Sequence, residues 1–438
     1  MLCRIAAAGT LIAFAAPAQA QGIALSGTER VRVEAVGGQA RAGFNAADEL
    51  LNFRTTLAAS FDPGPVKLFA ELWDSRVYGG DRRTPVSTAE VNTLELVQAY
   101  ATIPLAHGAK ASASLQLGRF LLNLGSRRLV AADDYRNTTN GYTGARLDGK
   151  HGPWAVTAIY TLPQQRRPDD LDALLSNRVA PDREGFDQVL WGGLASRVAK
   201  QGGVTVEASF FHLGERDRPG RPTRDRSLNT AGVRVMREPF PSRADGEVEA
   251  IVQRGAAAAG LAANAPRQSV RAWFVHADAG YTFAGGWKPR VSVEYDHASG
   301  DAPGGRFGRF DTLFGMRRAD FAPAGLYNAV ARANIISPGL RVEAAPSART
   351  DLFFAYKPMW LASRFDAFAA TGVRDPSGRS GRFAGNQVDA RLRHKLLKTL
   401  TLEADAVLLA KGGFLRDAPN APPGRWTRYL SLNALATF

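Results

Sequence analysis

The chain closes on Leu430-Ser-Leu-Asn-Ala-Leu-Ala-Thr-Phe438, a stretch in which apolar and polar side chains alternate. Successive side chains of a β-strand point to opposite faces, so Leu430, Leu432 and Phe438 share one face. The stretch therefore predicts a strand with one apolar and one mostly polar face. The apolar face also carries Ala434 and Ala436, and the opposite face carries Tyr429, Ser431, Asn433 and Thr437, with Leu435 the one exception.

An aromatic residue that closes such a strand resembles the C-terminal signal of bacterial outer-membrane barrels. The alternative is an edge strand of a soluble β-sandwich, whose apolar face would pack against a core. Nine residues alone leave both interpretations open.

The first twenty residues are typical of a secretory signal peptide. They contain one positive charge at Arg4, an apolar run from Ile5 to Ala16, and the small-residue cleavage pattern Ala18-Gln-Ala20. Cleavage would leave a single domain, residues 21–438. The one cysteine, Cys3, lies within the signal, so the predicted mature chain has neither a disulfide nor a cysteine nucleophile. No later segment has the 18 or so apolar residues of a membrane helix.

The composition is strongly basic, with 55 Lys and Arg against 41 Asp and Glu and a formal net charge of +14. A large positive excess indicates a polyanionic partner. For an exported chain we expect anionic solutes, anionic polysaccharide or lipopolysaccharide, and we do not expect nucleic acid.

Alternating segments of about ten residues recur along the chain, as in transmembrane β-barrels. In one of them Val31, Val33 and Ala35 alternate with charged residues. The polar faces carry charges of both signs, which favours a water-filled lumen inside a lipid-facing wall. The length predicts an all-β, single antiparallel barrel of about 16 to 18 strands, with long loops on one side. The long connections are expected at 78–91, 163–187 and 238–269, the last with a short helix in 255–265.

Arginines are densest in LQLGRFLLNLGSRRLVAADDYRNTTNGYTGARL, residues 115–147. Guanidinium groups stay charged and bind carboxylates in a bidentate manner, so a ring of them in a narrow bore would select anions. The alternative is a scatter of solvated arginines. The five arginines that span 28 positions are Arg119, Arg127, Arg128, Arg136 and Arg146.

This stretch resembles the alginate-export porin family of bacterial outer membranes. The matching motifs are Gly118-Arg119, Gly125-Ser-Arg-Arg128-Leu129 and Thr143-Gly-Ala-Arg146-Leu147. A second match begins at Glu294-Tyr-Asp-His-Ala-Ser-Gly-Asp301 and continues through Phe310-Asp311 and a strand pair leading to Asn334-Ile335, then a strand ending in Trp360-Leu361.

The resemblance implies an eighteen-stranded outer-membrane barrel, no cofactor, and a basic channel for an anionic polysaccharide or smaller anionic solutes. By motif position it implies that Arg119, Arg128 and Arg146 are lumen arginines. Polysaccharide export would also bring periplasmic export proteins as partners.

Catalytic and metal-binding patterns are absent from the sequence. Six histidines are scattered without metal-ligand spacing, and we predict no metal site. His297, Ser299 and Asp301 share a strand face by spacing alone, and nothing resembles Gly-x-Ser-x-Gly. We therefore expect no enzyme activity.

The leading interpretation is a passive, anion-preferring outer-membrane channel. One alternative is a structural or adhesive barrel with a closed bore, and another is an exported soluble β-sandwich that binds acidic polysaccharide. The arginines expected to project into the lumen and bind the substrate are Arg54, Arg119, Arg128, Arg146, Arg290, Arg341 and Arg391.

Overall fold

The computed structural model describes residues 19–20, 22–108, 110–133, 135–200, 202–316, 320–321 and 323–438. The predicted signal peptide lies outside the described residues, except for its last two. The strands are β1 (Gln19–Ala20), β2 (Ile23–Gly37), β3 (Ala47–Phe61), β4 (Lys67–Tyr78), β5 (Asn92–His107), β6 (Ala111–Leu121), β7 (Gly141–His151), β8 (Trp154–Pro163), β9 (Gln188–Arg197), β10 (Thr205–Glu215), β11 (Ser227–Arg237), β12 (Arg243–Ala258), β13 (Arg267–Thr282), β14 (Arg290–Ala298), β15 (Arg306–Phe307), β16 (Ile335–Ser347), β17 (Thr350–Trp360), β18 (Phe383–Lys395), β19 (Leu400–Lys411) and β20 (Trp426–Thr437).

These strands form one sheet that closes on itself. Of the twenty strands, β1 and β15 are two residues long, and the other eighteen pair antiparallel around a barrel. The closing pair joins β2 to β20, with Val33 opposite Leu432 and Glu34 opposite Ser431. At the end of this pair, the Gly27 N–H donates to the Phe438 carbonyl oxygen at 2.8 Å, and the Phe438 N–H donates to the Gly27 carbonyl oxygen at 3.0 Å.

The predicted all-β barrel is therefore confirmed, and the soluble β-sandwich alternative is wrong. A sandwich has two separate sheets with free edges, whereas the first and last long strands of this sheet pair with each other.

The two faces of the wall differ as the alternation predicted. On β20, Leu430 and Leu432 are about half exposed, whereas Ser431 between them is 1% exposed. On β2, Val33 is exposed and the neighbouring Arg32 and Glu34 are buried. On these two strands apolar side chains therefore face outward, and polar and charged side chains face the bore. None of the described helices has the length and apolarity needed to span a membrane.

Two short helices, α1 (Leu171–Leu175) and α2 (Gly413–Asp417), lie in connections. Because neighbouring strands are antiparallel, successive connections lie at alternate ends of the barrel. We call the end that holds connections 122–140, 299–334 and 361–382 the upper end. The start of β2 and the end of β20 lie at the other, lower end.

Two sequence expectations are wrong. Residues 243–258 form β12 rather than a long loop, because the alanines of this stretch fit a paired strand as well as they fit a helix. The connection there is only 259–266. The strand pair expected between Asp311 and Asn334 does not occur among the described residues of that segment, because its apolar side chains pack inside the barrel.

Candidate functional site: the constriction of the bore

Connection 122–140 crosses the bore from one wall to the other. On one side, Asn137 donates from Nδ2 to the carbonyl oxygens of Phe53 (3.0 Å) and Glu90 (2.9 Å). On the other side, Arg128 Nη1 reaches Glu249 of β12 at 2.5 Å. The segment is thereby fixed to β3, to the connection before β5, and to β12.

Arginines of the wall hold the middle of this segment through its backbone carbonyls. Arg30 Nη2 donates to the Arg136 carbonyl oxygen at 2.6 Å, and Arg32 Nη2 donates to that of Tyr135 at 2.6 Å. Arg54, which the sequence predicted in the lumen, donates to the Arg136 carbonyl at 3.2 Å. These inward guanidiniums therefore have a structural role at the constriction.

Connection 299–334 crosses the same bore and joins the first segment. Val130 and Phe314 form a parallel bridge, and the Phe314 N–H donates to the Leu129 carbonyl at 3.0 Å. Farther on, the Leu326 carbonyl accepts from Gln39 Nε2 at 3.1 Å, beside the seam of the barrel. The two connections thus form one layer across the bore, which we call the crossing layer (the described residues of 122–140 and 299–334).

An ionic cluster ties the crossing layer to the wall. Asp320, 3% exposed at its side chain, accepts from Arg128 Nε and Nη2, both at 2.8 Å. It also accepts from Arg332 Nε at 2.7 Å, and the Arg332 side chain is 0% exposed. Burial opposes ionisation of Asp320, but the guanidiniums of Arg128 and Arg332 hold its pKa well below its ordinary value.

His276, Asp296 and Asp320 bring three potential metal-ligand atoms within 4.8 Å of one another. Their carboxylates already serve buried cations: Asp320 binds the two arginines, and Lys357 Nζ lies 3.3 Å from Asp296 Oδ2. Because these cations already contact the carboxylate oxygens, the three residues fit an ion-pair network better than a site for a divalent cation.

A polar cavity of about 390 Å³ remains beside the crossing layer. Two guanidiniums line it, those of Arg136 and Arg166. Arg136 pairs with Asp133 at 2.9 Å. Both arginines donate to Asn140 Oδ1, at 2.7 Å from Arg136 and 2.8 Å from Arg166.

Arg166 differs from Arg136 in the groups that surround its guanidinium. Its other protein contacts are carbonyl oxygens, those of Thr88 (2.8 Å) and Thr139 (2.9 Å), so its charge is solvated by dipoles. Burial, followed by repulsion from Arg136, lowers the pKa of Arg166 to about 10. The group therefore remains a cation at neutral pH. Glu90 also lines the cavity, and burial raises the pKa of its carboxyl.

The other predicted site arginines lie next to carboxylates. Arg146, Arg290, Arg341 and Arg391 project from the inward faces of their strands. Arg119 shares a side of β6 with the exposed Leu117 and reaches acids near the upper end. The pairs are Arg119 with Glu95 and Glu184, Arg128 with Glu247, Glu249 and Asp320, Arg146 with Asp148, Arg290 with Asp245, Asp278 and Glu343, Arg341 with Glu294 and Glu343, and Arg391 with Asp351.

The structure does not bring these seven arginines together at one point. The residues at the cavity are instead Arg136, which the sequence placed in the arginine-rich stretch, and Arg166, which it did not single out. The only sequence signal for Arg166 was its place in 163–187, a segment expected to be a long connection.

A family model described as alginate export matches residues 26–426. No curated protein matches the sequence. Among solved structures, the chain is similar to Pseudomonas aeruginosa OccK9 (OpdG), with 13% identity and a TM-score of 0.60 over 95% of this chain and 98% of that one. It is also similar to P. aeruginosa OpdK with vanillate (11% identity, TM-score 0.58, 94% and 98%) and to OccK2 (OpdF) in complex with glucuronate (11%, 0.56, 94% and 96%). At these identities the likeness establishes the barrel fold.

Proposed function

The chain belongs to the alginate export family of outer-membrane β-barrel proteins, and on that basis we propose that it is a passive channel preferring small organic carboxylates. The observation that carries the proposal is the cavity beside the crossing layer, with Arg136 and Arg166 in its wall. A solute crossing the bore beside the crossing layer would meet these guanidiniums. A carboxylate there would receive charge-assisted hydrogen bonds.

The balance of charge supports an anion preference. Asp133 offsets Arg136, whereas Arg166 is held by carbonyl and amide oxygens. The direct hydrogen-bond partners of Arg166 are dipoles, and Asp182, Asp133 and Glu90 offset its charge only through space. Arg166 would therefore attract an anion more strongly than an arginine in direct contact with a carboxylate. The predicted substrate-binding roles of Arg54, Arg119, Arg128, Arg146, Arg290, Arg341 and Arg391 stay proposals, and we expect those of the six arginines paired with carboxylates to be weaker.

The size of the cavity supports a small solute rather than a thick polymer. A volume of about 390 Å³ lies at the lower end of the range for small-molecule pockets. The structural relatives with vanillate and with glucuronate hold compounds that each carry a carboxylate. We therefore favour single uronates or aromatic acids as solutes, and an anionic polysaccharide would require the crossing layer to move.

We also propose the orientation of the barrel in the membrane. Long connections such as 122–140, 164–187 and 299–334 would lie together on the extracellular side, which is the upper end. The lower end, with short turns and both ends of the sheet, would face the periplasm. The mature protein would be residues 21–438.

The test is the reversal potential of the purified barrel in a planar bilayer under a salt gradient. A unit charge about 4 Å from the permeating ion contributes about 1 kcal/mol in water, and more where water is scarce. Arg166→Gln should therefore lower the anion-to-cation permeability ratio about tenfold, while Arg166→Lys should retain most of it. Cation selectivity of the wild type, or an unchanged ratio in Arg166→Gln, would contradict the proposal.

One observation favours a second candidate, a structural or adhesive barrel with a closed bore. The crossing layer contributes fully buried apolar side chains inside the barrel, among them Val130, Leu326 and Tyr327. Uptake of glucuronate by liposomes carrying the barrel separates the two candidates. A closed barrel passes no solute, whereas a channel equilibrates it across the membrane.

A further inference from the structure

Two arginines lie opposite each other on the outward face of the wall. In the register of β12 and β13, Arg254 is paired with Arg271. Both are exposed and lie on the same side as Val252, which is 53% exposed, and Trp273, which is 38% exposed. These guanidiniums therefore point away from the bore, toward the membrane.

The arrangement is unfavourable for the protein alone. Directly opposed side chains on antiparallel strands start about 5 Å apart, and like charges in that position repel. Within the part of the chain that the structure describes, neither guanidinium has a hydrogen bond or an ion pair to a protein group. An anion between them would remove the repulsion.

The height of the pair on the wall indicates where that anion would be. The pair lies between the outward aliphatic side chains of the barrel and its upper end, and Trp273 is two residues closer to the aliphatic band. Trp273 packs against the outward His297, with 4.4 Å between ring centroids. Aromatic side chains of this kind mark the boundary between hydrocarbon and headgroups. The arginine pair is thus at headgroup level.

A second pair of cations lies on the other side of Trp273. Arg364 and Arg382 line a cavity of about 360 Å³ together with Trp273 and His297. Arg382 is positioned by its donation to the carbonyls of Leu361 (2.8 Å) and Ala362 (2.9 Å). Two cationic pairs therefore flank one aromatic platform.

We propose that this surface binds the phosphorylated sugar headgroup of a glycolipid in the outer leaflet, which in a bacterial outer membrane is lipopolysaccharide. Phosphate oxygens accept bidentate bonds from guanidinium groups, and a sugar ring can pack on the indole between them. Acyl chains would continue along Val252 and the aliphatic side chains below it. We name as the headgroup surface Arg254, Arg271, Trp273, Arg364 and Arg382. The inference uses from the proposed function only that the upper end faces outward.

The test is binding of diphosphoryl lipid A to the full barrel in detergent, followed as a shift of the thermal midpoint during titration. A basic residue at a membrane surface contributes about 1 kcal/mol, so Arg254→Gln with Arg271→Gln should weaken binding about thirtyfold. The matched control is Arg197→Gln with Arg237→Gln, which removes two cations from outward-facing sides near the lower end. This control should bind as the wild type does. Without lipid A, the Arg254/Arg271 double variant should be at least as stable as the wild type.

Several outcomes would overturn the proposal: equal lipid A affinity in the Arg254/Arg271 variant and the wild type, an equal stabilisation by phosphatidylglycerol, or an equal stabilisation by inorganic phosphate. The second would indicate a general anionic-lipid surface, and the third a site for free anions. Bilayer conductance of the double variant keeps this test separate from the channel proposal. Lipid A binding with no conductance would refute the channel and leave the headgroup surface standing.

Discussion

Replacing Asp320 by Asn should release the crossing layer from the wall. This carboxylate joins Arg128, whose side chain is 6% exposed, to Arg332, whose side chain is 0% exposed. The amide keeps the volume of the carboxylate but loses its charge and one of its two acceptor oxygens. The substitution therefore leaves two cations in a buried site with an incomplete set of acceptors.

The magnitude follows from the burial of the partners. Removing one member of a buried ion pair costs about 3–5 kcal/mol, because the remaining charge is left without compensation. Asn can still accept one hydrogen bond, and Arg128 keeps Glu247 and Glu249, so we take the lower limit of about 3 kcal/mol. A free energy of that size raises the population of the released layer about a hundredfold.

Single-channel recording in planar bilayers measures this population as the time spent in a state of higher conductance. Asp351→Asn is the matched control, because Asp351 also joins two arginines, Arg391 at 2.5 Å and Arg393 at 2.9 Å. Its side chain is 36% exposed, and pairs exposed to that extent contribute about 0–1 kcal/mol. The control should therefore record almost as the wild type does.

If Asp320→Asn has the conductance of the wild type and spends no more time in a state of higher conductance, Asp320 does not hold the crossing layer to the wall. An equal effect of the two substitutions would refute this role of Asp320 as well, because the predicted difference arises from burial of the carboxylate and not from the number of arginines that it joins. Hydrogen exchange of 122–140 and 299–334 gives an independent readout, since release should speed exchange there and leave the wall strands unchanged.

Three further predictions concern pH and packing. Because the pKa of Asp320 is lowered in the folded protein, its carboxylate stabilises the crossing layer fully above the pKa of an aspartate in the unfolded chain, about 4. This stabilisation is lost only as pH falls below that value. The conductance of the wild type should therefore stay constant from pH 7 to about pH 4.5. Asp182 behaves in the opposite way: burial and the neighbouring Glu95 raise its pKa to about 7, so its connection should lose stability as pH rises from about 4 to 7. Its hydrogen-exchange protection factors, in which the intrinsic rise of amide exchange with pH is divided out, should be lower at pH 8 than at pH 5 in the wild type but equal at the two pH values in Asp182→Asn. Gly315→Ala would place a Cβ 1.8 Å from the Arg128 carbonyl oxygen and should loosen the crossing layer in single-channel records, whereas Gly286→Ala, which meets open space, should not.

The wall of the barrel could be predicted because each strand carries its own signal. On β2 the charged Arg32 and Glu34 are buried, and Val33 between them is exposed. The alternating sequence predicted this pattern for a water-filled bore and a lipid-facing outer surface. Side-chain direction in a strand is a local property with a period of two. One strand therefore indicates both faces without knowledge of its neighbours.

The interior could not be predicted in the same way. The family resemblance implied a strand pair after Asp311, yet Leu326 and Tyr327 of this segment are buried inside the bore. Whether an apolar side chain meets lipid, a neighbouring strand or a folded-in connection depends on contacts far away in sequence. The bridge between Val130 and Phe314 is one such contact.

The same limitation applies to the arginines. Arg128 was identified from its neighbours in sequence, but Glu247, Glu249 and Asp320, which neutralise it, are more than a hundred residues away. An inward arginine whose carboxylate partner is fixed by the fold presents little net charge to a solute, because the solute must compete with that partner. Arg166 differs since its partners are dipoles. Selectivity in a bore crowded with charges of both signs should therefore follow the few cations whose direct hydrogen-bond partners are dipoles rather than carboxylates, and their identity depends on the tertiary structure.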